Sequence, residues 1–203
     1  MKQFPSDVAF SPAVKRTQAS RGSRPAYARV EERGGFETEV TDDLRAFLAD
    51  VDSAFLATAS ADGQPYVQHR GGPKGFLRAL DDHTLGFVDF TGNRQYVSTG
   101  NLSENDRVCL FVIDYAHRRR VKVWGTARVV PVTDALLAAL GDPAYRARPE
   151  QVVLLTVTAW DANCPQHIPV KLDAADVAAA VQKLQARISE LETENARLRG
   201  RER

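Results

Sequence analysis

The stretch 120–129 alternates without a break: Val121, Val123, Gly125, Ala127 and Val129 fall on one side, Lys122, Trp124, Thr126 and Arg128 on the other. A period of two over that length fits a β-strand with one face in a core and the other toward solvent or a partner. Similar strand-like stretches recur at 54–60, 65–71, 76–80, 84–90, 107–115 and 151–160. The first two flank Ala61-Asp62-Gly63-Gln64, and an Asp-Gly pair between strands is a strong hairpin signal. Most of the connections are short turns, whereas a parallel sheet needs a helical crossover between each pair of strands. The pattern therefore predicts a mainly β fold, an antiparallel barrel with a few short helices.

Helical signals flank the strands. Thr41 reads as an N-cap, followed by Asp42 and Asp43 in the first turn and by Leu44, Phe47, Leu48 and Val51 at helical spacing. Near the other end, Val177, Val181, Leu184, Ile188, Leu191, Asn195 and Leu198 are spaced alternately by four and three residues. This heptad places Val181, Ile188 and Asn195 at a, and leucine at three of the four d positions. It predicts a parallel two-stranded coiled coil, with Arg187 facing Glu192 and Glu194 facing Arg199 across the pair. Residues 1–40, with the run KRTQASRGSR at 15–24, show little periodicity and read as a partly ordered extension. The expected organisation is an extension (1–40), a barrel domain (41–172) and a C-terminal coiled-coil helix (173–203).

With 203 residues and 43% hydrophobic content the chain can bury a sizeable core. Its 27 basic and 26 acidic residues leave a net charge of +1, so no global field recruits nucleic acid or an anionic membrane. A zipper-type DNA reader is also excluded, because 172–181 reads LDAADVAAAV, with no cation ahead of the heptads. No apolar run is long enough for a membrane helix and no signal core follows the N-terminus, so the expected compartment is the cytoplasm. Cys109 and Cys164 lack metal-ligand spacing, and the four histidines show no HxxxH or HxH pattern. Cys164 beside His167 could make a thiol pair, but no acid orients it. Motifs of the GxSxG, GxxxxGK and GxGxxG types are absent.

Cations, amides and turns remain as the carriers of chemistry. In LGFVDFTGNRQYVSTG, residues 85–100, an apolar strand runs through a glycine turn toward a helix, and Asn93, Arg94 and Gln95 are expected where that helix has unpaired N–H groups. His69 and Arg70 precede Gly71, Gly72, Pro73 and Lys74, so two cations flank a turn where backbone can approach a ligand. Arg120 enters a strand, and the loop at 160–167 carries Gln166 and His167. A set of cations, amides and aromatics with neither nucleophile nor metal suits an anionic aromatic cofactor such as flavin mononucleotide, FMN.

The runs GQPYVQHRGGPKGF, LGFVDFTGNRQYVSTGNLSENDRVCLFVIDY and RRRVKVWGTARVV, taken in order, resemble the pyridoxamine 5'-phosphate oxidase superfamily of flavin-binding split barrels. The resemblance covers about 51–130. GSRPAYAR at 22–29 and WDANCPQHIP at 160–169 resemble a bacterial subgroup of FMN-binding proteins within it. It implies an FMN-binding split barrel and a homodimer with two FMN sites at the subunit interface. Arg70, Lys74, Arg94 and Gln95 would hold the phosphate. Gln68, His69, Arg70 and Gly71, with Asp89, Phe90 and Asn93, would line the ring and ribityl chain. Arg120 would contact the flavin, and Gln166 with His167 would close the site. Gln95 stands where the oxidases carry lysine, and CPQHIPVKL replaces their terminal arginine and histidine motif, so pyridoxamine phosphate is not the expected substrate. The implied activity is hydride transfer at flavin N5 on a small substrate, with no catalytic residue assigned. A flavin-binding or redox-sensing module with a docking helix is the alternative.

Overall fold

The structure is a computed structural model that describes residues 3–163 and 165–201; Cys164, the thiol considered beside His167, lies outside the described residues. The chain forms two compact units, one made of 3–114 with 119–163 and the other of 115–118 with 165–201.

The larger unit opens with a 3-10 turn, Pro5–Val8, and three helices: α1 (Pro12–Ser20), α2 (Arg24–Glu32) and α3 (Asp42–Ala49). There follow β1 (Ser53–Ala59), β2 (Pro65–Gly71), β3 (Arg78–Ala79), β4 (Thr84–Phe90), α4 (Val97–Glu104), β5 (Arg107–Asp114), β6 (Arg119–Val130), α5 (Asp134–Leu140) and β7 (Pro149–Asn163). The seven strands form one antiparallel sheet in the order β2-β1-β5-β6-β7-β4-β3, and its two ends are not joined by a ladder. This is an open, split barrel.

The alternation that predicts β6 is met residue by residue. Val121, Val123, Gly125 and Ala127 are buried, whereas Lys122, Trp124 and Thr126 are only partly covered. Leu56 on β1, Leu110 on β5, Val123 on β6 and Leu85 and Phe87 on β4 build the core. Helix α3 caps it with Leu44, Phe47 and Leu48, and the Thr41 hydroxyl accepts the Leu44 N–H at 3.3 Å. The turn between β1 and β2 closes with Ser60 N–H donating to the Gln64 carbonyl at 3.1 Å, and Gly63 takes a φ of 89° there.

One strand is shorter than its sequence suggests. Residues 72–76 are tied to the end of α3, with Gly72 and Gly75 donating to the carbonyls of Asp52 and Val51, so Phe76 and Leu77 enter the core from a turn. Of residues 76–80, Arg78 and Ala79 alone form the ladder with β4. Helix α5 is capped by Thr133, whose hydroxyl accepts the Leu136 N–H at 3.2 Å, and lays Leu140 on Val88 and Val152.

Residues 3–40 are held by contacts with no periodicity to announce them, among them a backbone bridge between Glu37 and Trp160. Rings of Tyr27, Phe10, Phe36 and Trp124 meet in series at 5.2, 5.3 and 5.5 Å, which fastens the segment to the outer face of β6. Beneath them, buried Glu31 meets Arg24 and, at 3.0 Å, Lys15, which also reaches Asp7 at 2.5 Å. Arg24 donates to Gln18 at 2.6 Å, so the GSRPAYAR motif serves this network.

In the smaller unit, Lys171 lies 4.0 Å above the Tyr115 ring, and α6 (Ala174–Arg201) runs as one helix of 28 residues. No described helix is long and apolar enough to cross a membrane.

Two outcomes follow. A Cβ at Gly125 would lie 1.9 Å from the Thr156 carbonyl oxygen, beside the register shift between β6 and β7. Gly125→Ala therefore lowers stability by about 3 kcal/mol or more, read from the urea midpoint. The hydrogen bond from Lys15 chiefly lowers the Asp7 pKa, and the same bond chiefly raises that of Lys15. The contribution of this pair is lost as pH falls below the usual carboxylate pKa of about 3.9, and again as pH rises above the usual lysine pKa of about 10.4. Lys15→Met removes the alkaline dependence from the stability profile and weakens the acid one, which the Phe4 N–H bond to Asp7 still sustains.

Candidate functional site

No ladder joins β2 to β4 among the described residues, yet their side chains meet across the open seam of the barrel. Strand alternation puts Gln68 and Arg70 on the same side of β2 as the core residues Leu56 and Ala54 they oppose. From there Arg70 Nη1 donates to Asp89 Oδ1 at 2.6 Å and Nη2 donates to Gln68 Oε1 at 2.9 Å. The side chains of Arg70 and Asp89 are only 11% and 14% exposed. A charge pair so shielded from water is stronger than a surface pair, and neither member can be removed without stranding the other.

Helix α4 and β7 complete the arrangement. Ser98 Oγ donates to Gln68 Oε1 at 2.8 Å, and Gln151 Nε2 donates to Asp89 Oδ2 at 2.9 Å and to Thr99 Oγ1 at 3.0 Å. The loop before α4 departs from the expected helix start. Arg94 and Tyr96 both lie in the left-handed region, with φ of 60° and 54°, so the helix begins only at Val97. Asn93 Oδ1 accepts the Gln95 N–H at 3.3 Å in a local turn that competes with helix. Arg94 Nε donates to the Tyr96 hydroxyl at 3.1 Å, which donates in turn to Glu150 at 2.6 Å. The Tyr96 hydroxyl, and then the Glu150 carboxylate, raise the Arg94 pKa.

These side chains enclose a cleft of about 50 Å³. Of the residues expected at a site, Gln68, Arg70, Asp89, Phe90, Asn93 and Arg94 line it together. Gln95 is exposed in the adjoining loop, and Lys74 is exposed beyond the end of β2. His69 faces the opposite side of β2, where Nε2 lies 2.9 Å from Ser53 Oγ and the ring meets Phe55 edge-on. Gly71 packs within close range of the Asp52 carbonyl. Arg120 is half-buried on β6 with Nε unpartnered, and Gln166 and His167 form an exposed turn of the smaller unit. Tyr96, Ser98, Thr99, Glu150 and Gln151 also line the cleft. The first three sit in the motif already noted, whereas Glu150 and Gln151 carry no local signal.

The cleft can bind an anion. Arg70 Nε is buried with no partner, a donor left over after Asp89 and Gln68 have taken the other two nitrogens. Arg94 supplies a second cation and Ser98, Thr99 and Gln151 supply neutral polar groups. Asp89 and Glu150 oppose them, so the four charges of the cleft sum to zero and an entering anion competes with both carboxylates. A larger cavity, about 960 Å³, lies between the Pro5–Val8 turn and the outer faces of β1, β5 and β6. Burial pushes the pKa of its Cys109 thiol up and so disfavours the thiolate. No cluster of metal-ligating residues occurs among the described residues.

The fold is an open antiparallel split barrel with two arginines, Arg70 and Arg94, lining a cleft at its seam. Residues 40–164 match the family model described as pyridoxamine 5'-phosphate oxidase, and the chain belongs to that family. No curated protein matches the chain. Among solved structures, an FMN-binding protein from Syntrophomonas wolfei subsp. wolfei is 13% identical, over 72% of this chain and 97% of that one, with a TM-score of 0.49. HupZ of Group A Streptococcus is 20% identical over 65% and 98%, with a TM-score of 0.47. An FAD-binding protein from Mycobacterium smegmatis is 18% identical over 63% and 97%, with a TM-score of 0.42.

Because Arg70 and Asp89 hold the seam, Asp89→Asn lowers stability by about 1–3 kcal/mol, and a double-mutant cycle with Arg70→Met returns a coupling of similar size. Urea unfolding of the four proteins measures it.

Proposed function

We propose that the larger unit binds FMN with its phosphate in the seam cleft, and that the protein is an oxidoreductase acting on a small substrate. The observation that carries this reading is Arg70, whose buried Nε has no partner and which lines the cleft together with Arg94. Family membership supports it, since the resemblance read from the sequence implies FMN at these residues.

The residues divide the work. Gln68 and Asp89 hold the Arg70 guanidinium in place, so that Nε is the donor it has left for a phosphate oxygen. Arg94 adds a charge-assisted contact from the loop, and the hydroxyls of Ser98 and Thr99 can turn their protons toward an acceptor. Asp89 and Glu150 weaken the seat by repelling the same phosphate, which makes the affinity a difference between two opposed charge sets. FMN, when bound, supplies hydride exchange at N5. The cleft of about 50 Å³ suits a phosphate-sized group rather than a flavin ring, so the ring needs further walls. A second copy of the chain supplies them in this reading, as a homodimer with its sites at the subunit interface.

Absorbance titration with FMN, FAD, riboflavin, the deazaflavin cofactor and haem tests the assignment. FMN is expected to saturate the protein. Arg94→Ala weakens FMN roughly tenfold or more by loss of a charged hydrogen bond. Glu150→Gln tightens it about fivefold by removing one opposing charge. Riboflavin, which lacks the phosphate, should respond to neither substitution. An FMN affinity indifferent to both changes, or no uptake of FMN at all, would overturn the reading.

A further inference from the structure

Every position of α6 from Ala174 to Arg199 is exposed, including the residues that a helix of this kind hides. Leu184 is 65% and Ile188 55% exposed, and Val177, Val181, Leu191 and Leu198 lie open beside them. At about 1.5 Å per residue the helix is about 42 Å long, with one apolar stripe and charged flanks. Helices in proteins are stabilised mainly by packing of such a stripe.

We propose that α6 pairs with α6 of a second copy as a parallel, in-register, two-stranded coiled coil. Three features of the helix select that occupant. The β-branched Val181 and Ile188 at a, with Leu184, Leu191 and Leu198 at d, favour two strands. Charges flanking the stripe complement the same helix run parallel: Arg187 at g meets Glu192 at e of the second copy, and Glu194 meets Arg199. Asn195 settles the direction, because in a parallel pair it lies opposite itself and the two amides can bond. In an antiparallel pair it would face Leu184 and bury an unpaired amide. In the single chain Arg187 bonds Glu190 at 2.9 Å on an exposed surface, a contact it can exchange for Glu192 at little cost.

This pairing does not depend on the flavin reading. It ties two chains together through a helix and so gives the larger units an effective concentration on the order of millimolar.

The test uses the full-length chain with both native cysteines replaced by alanine and Leu184→Cys added. In a parallel in-register pair the two introduced thiols adjoin, and mild oxidation gives a covalent dimer on a non-reducing gel. Ser189→Cys, at an outward b position, should cross-link on the order of tenfold more slowly or worse. Adding Leu191→Glu to the Leu184→Cys chain should abolish the cross-link while leaving the urea midpoint of the larger unit unchanged. Equal rates for Leu184→Cys and Ser189→Cys overturn the proposal. So does a cross-link that survives Leu191→Glu, or one formed preferentially between Leu184→Cys and Asn195→Cys chains.

Discussion

The contact between Arg70 and Asp89 bridges the one gap in the sheet that no ladder spans among the described residues. A split barrel leaves two sheet ends without ladder partners, and free edges invite slippage and association. Here the end strand β2 is drawn toward β4 by one shielded ion pair at 2.6 Å. Gln68, Ser98, Thr99 and Gln151 spread the load over α4 and β7. The atoms that close the barrel are thus also the atoms that line the cleft, so holding the fold together and presenting a cation to a ligand are one task.

The N-terminal segment solves a different problem by different means. It buries few aliphatic groups, and an ion network with Glu31 at its centre is costly to desolvate. Lys15, Arg24 and Asp7 compensate that cost among themselves, while the ring series from Tyr27 to Trp124 supplies apolar contact with the sheet. The Trp160 indole adds a hydrogen bond of 2.7 Å to the Glu39 carbonyl, so rings, charges and backbone all hold the segment.

What the sequence shows and what it hides follow from how local each cause is. The alternation in β6, the Thr41 cap and the Asp62-Gly63 turn are local, and all three are met. The convergence of Arg70 and Arg94 was legible because both sit in short motifs beside glycine turns. Glu150 and Gln151 could not be found the same way, since their role exists only once β7 lies beside β4. The helix start was misplaced for a backbone reason: left-handed conformations at Arg94 and Tyr96 are disfavoured for side-chain-bearing residues, and no residue type there signals them. His69 illustrates the opposite case, because the period of two already separates it from Gln68 and Arg70. The helices at 12–32 lack a strong apolar face, so aromatic and ionic contacts distant in sequence had to be seen to be known.

Strand β7 pairs with β4 along one edge and β6 along the other, and several of its residues, from Val152 to Thr156, sit in both ladders. A substitution there must suit two neighbours at once, while the outward positions of α6 answer to none within the chain. As related sequences diverge, β7 should therefore drift slowly and α6 quickly outside its heptad stripe. Two consecutive elements of one chain would then keep time by different clocks.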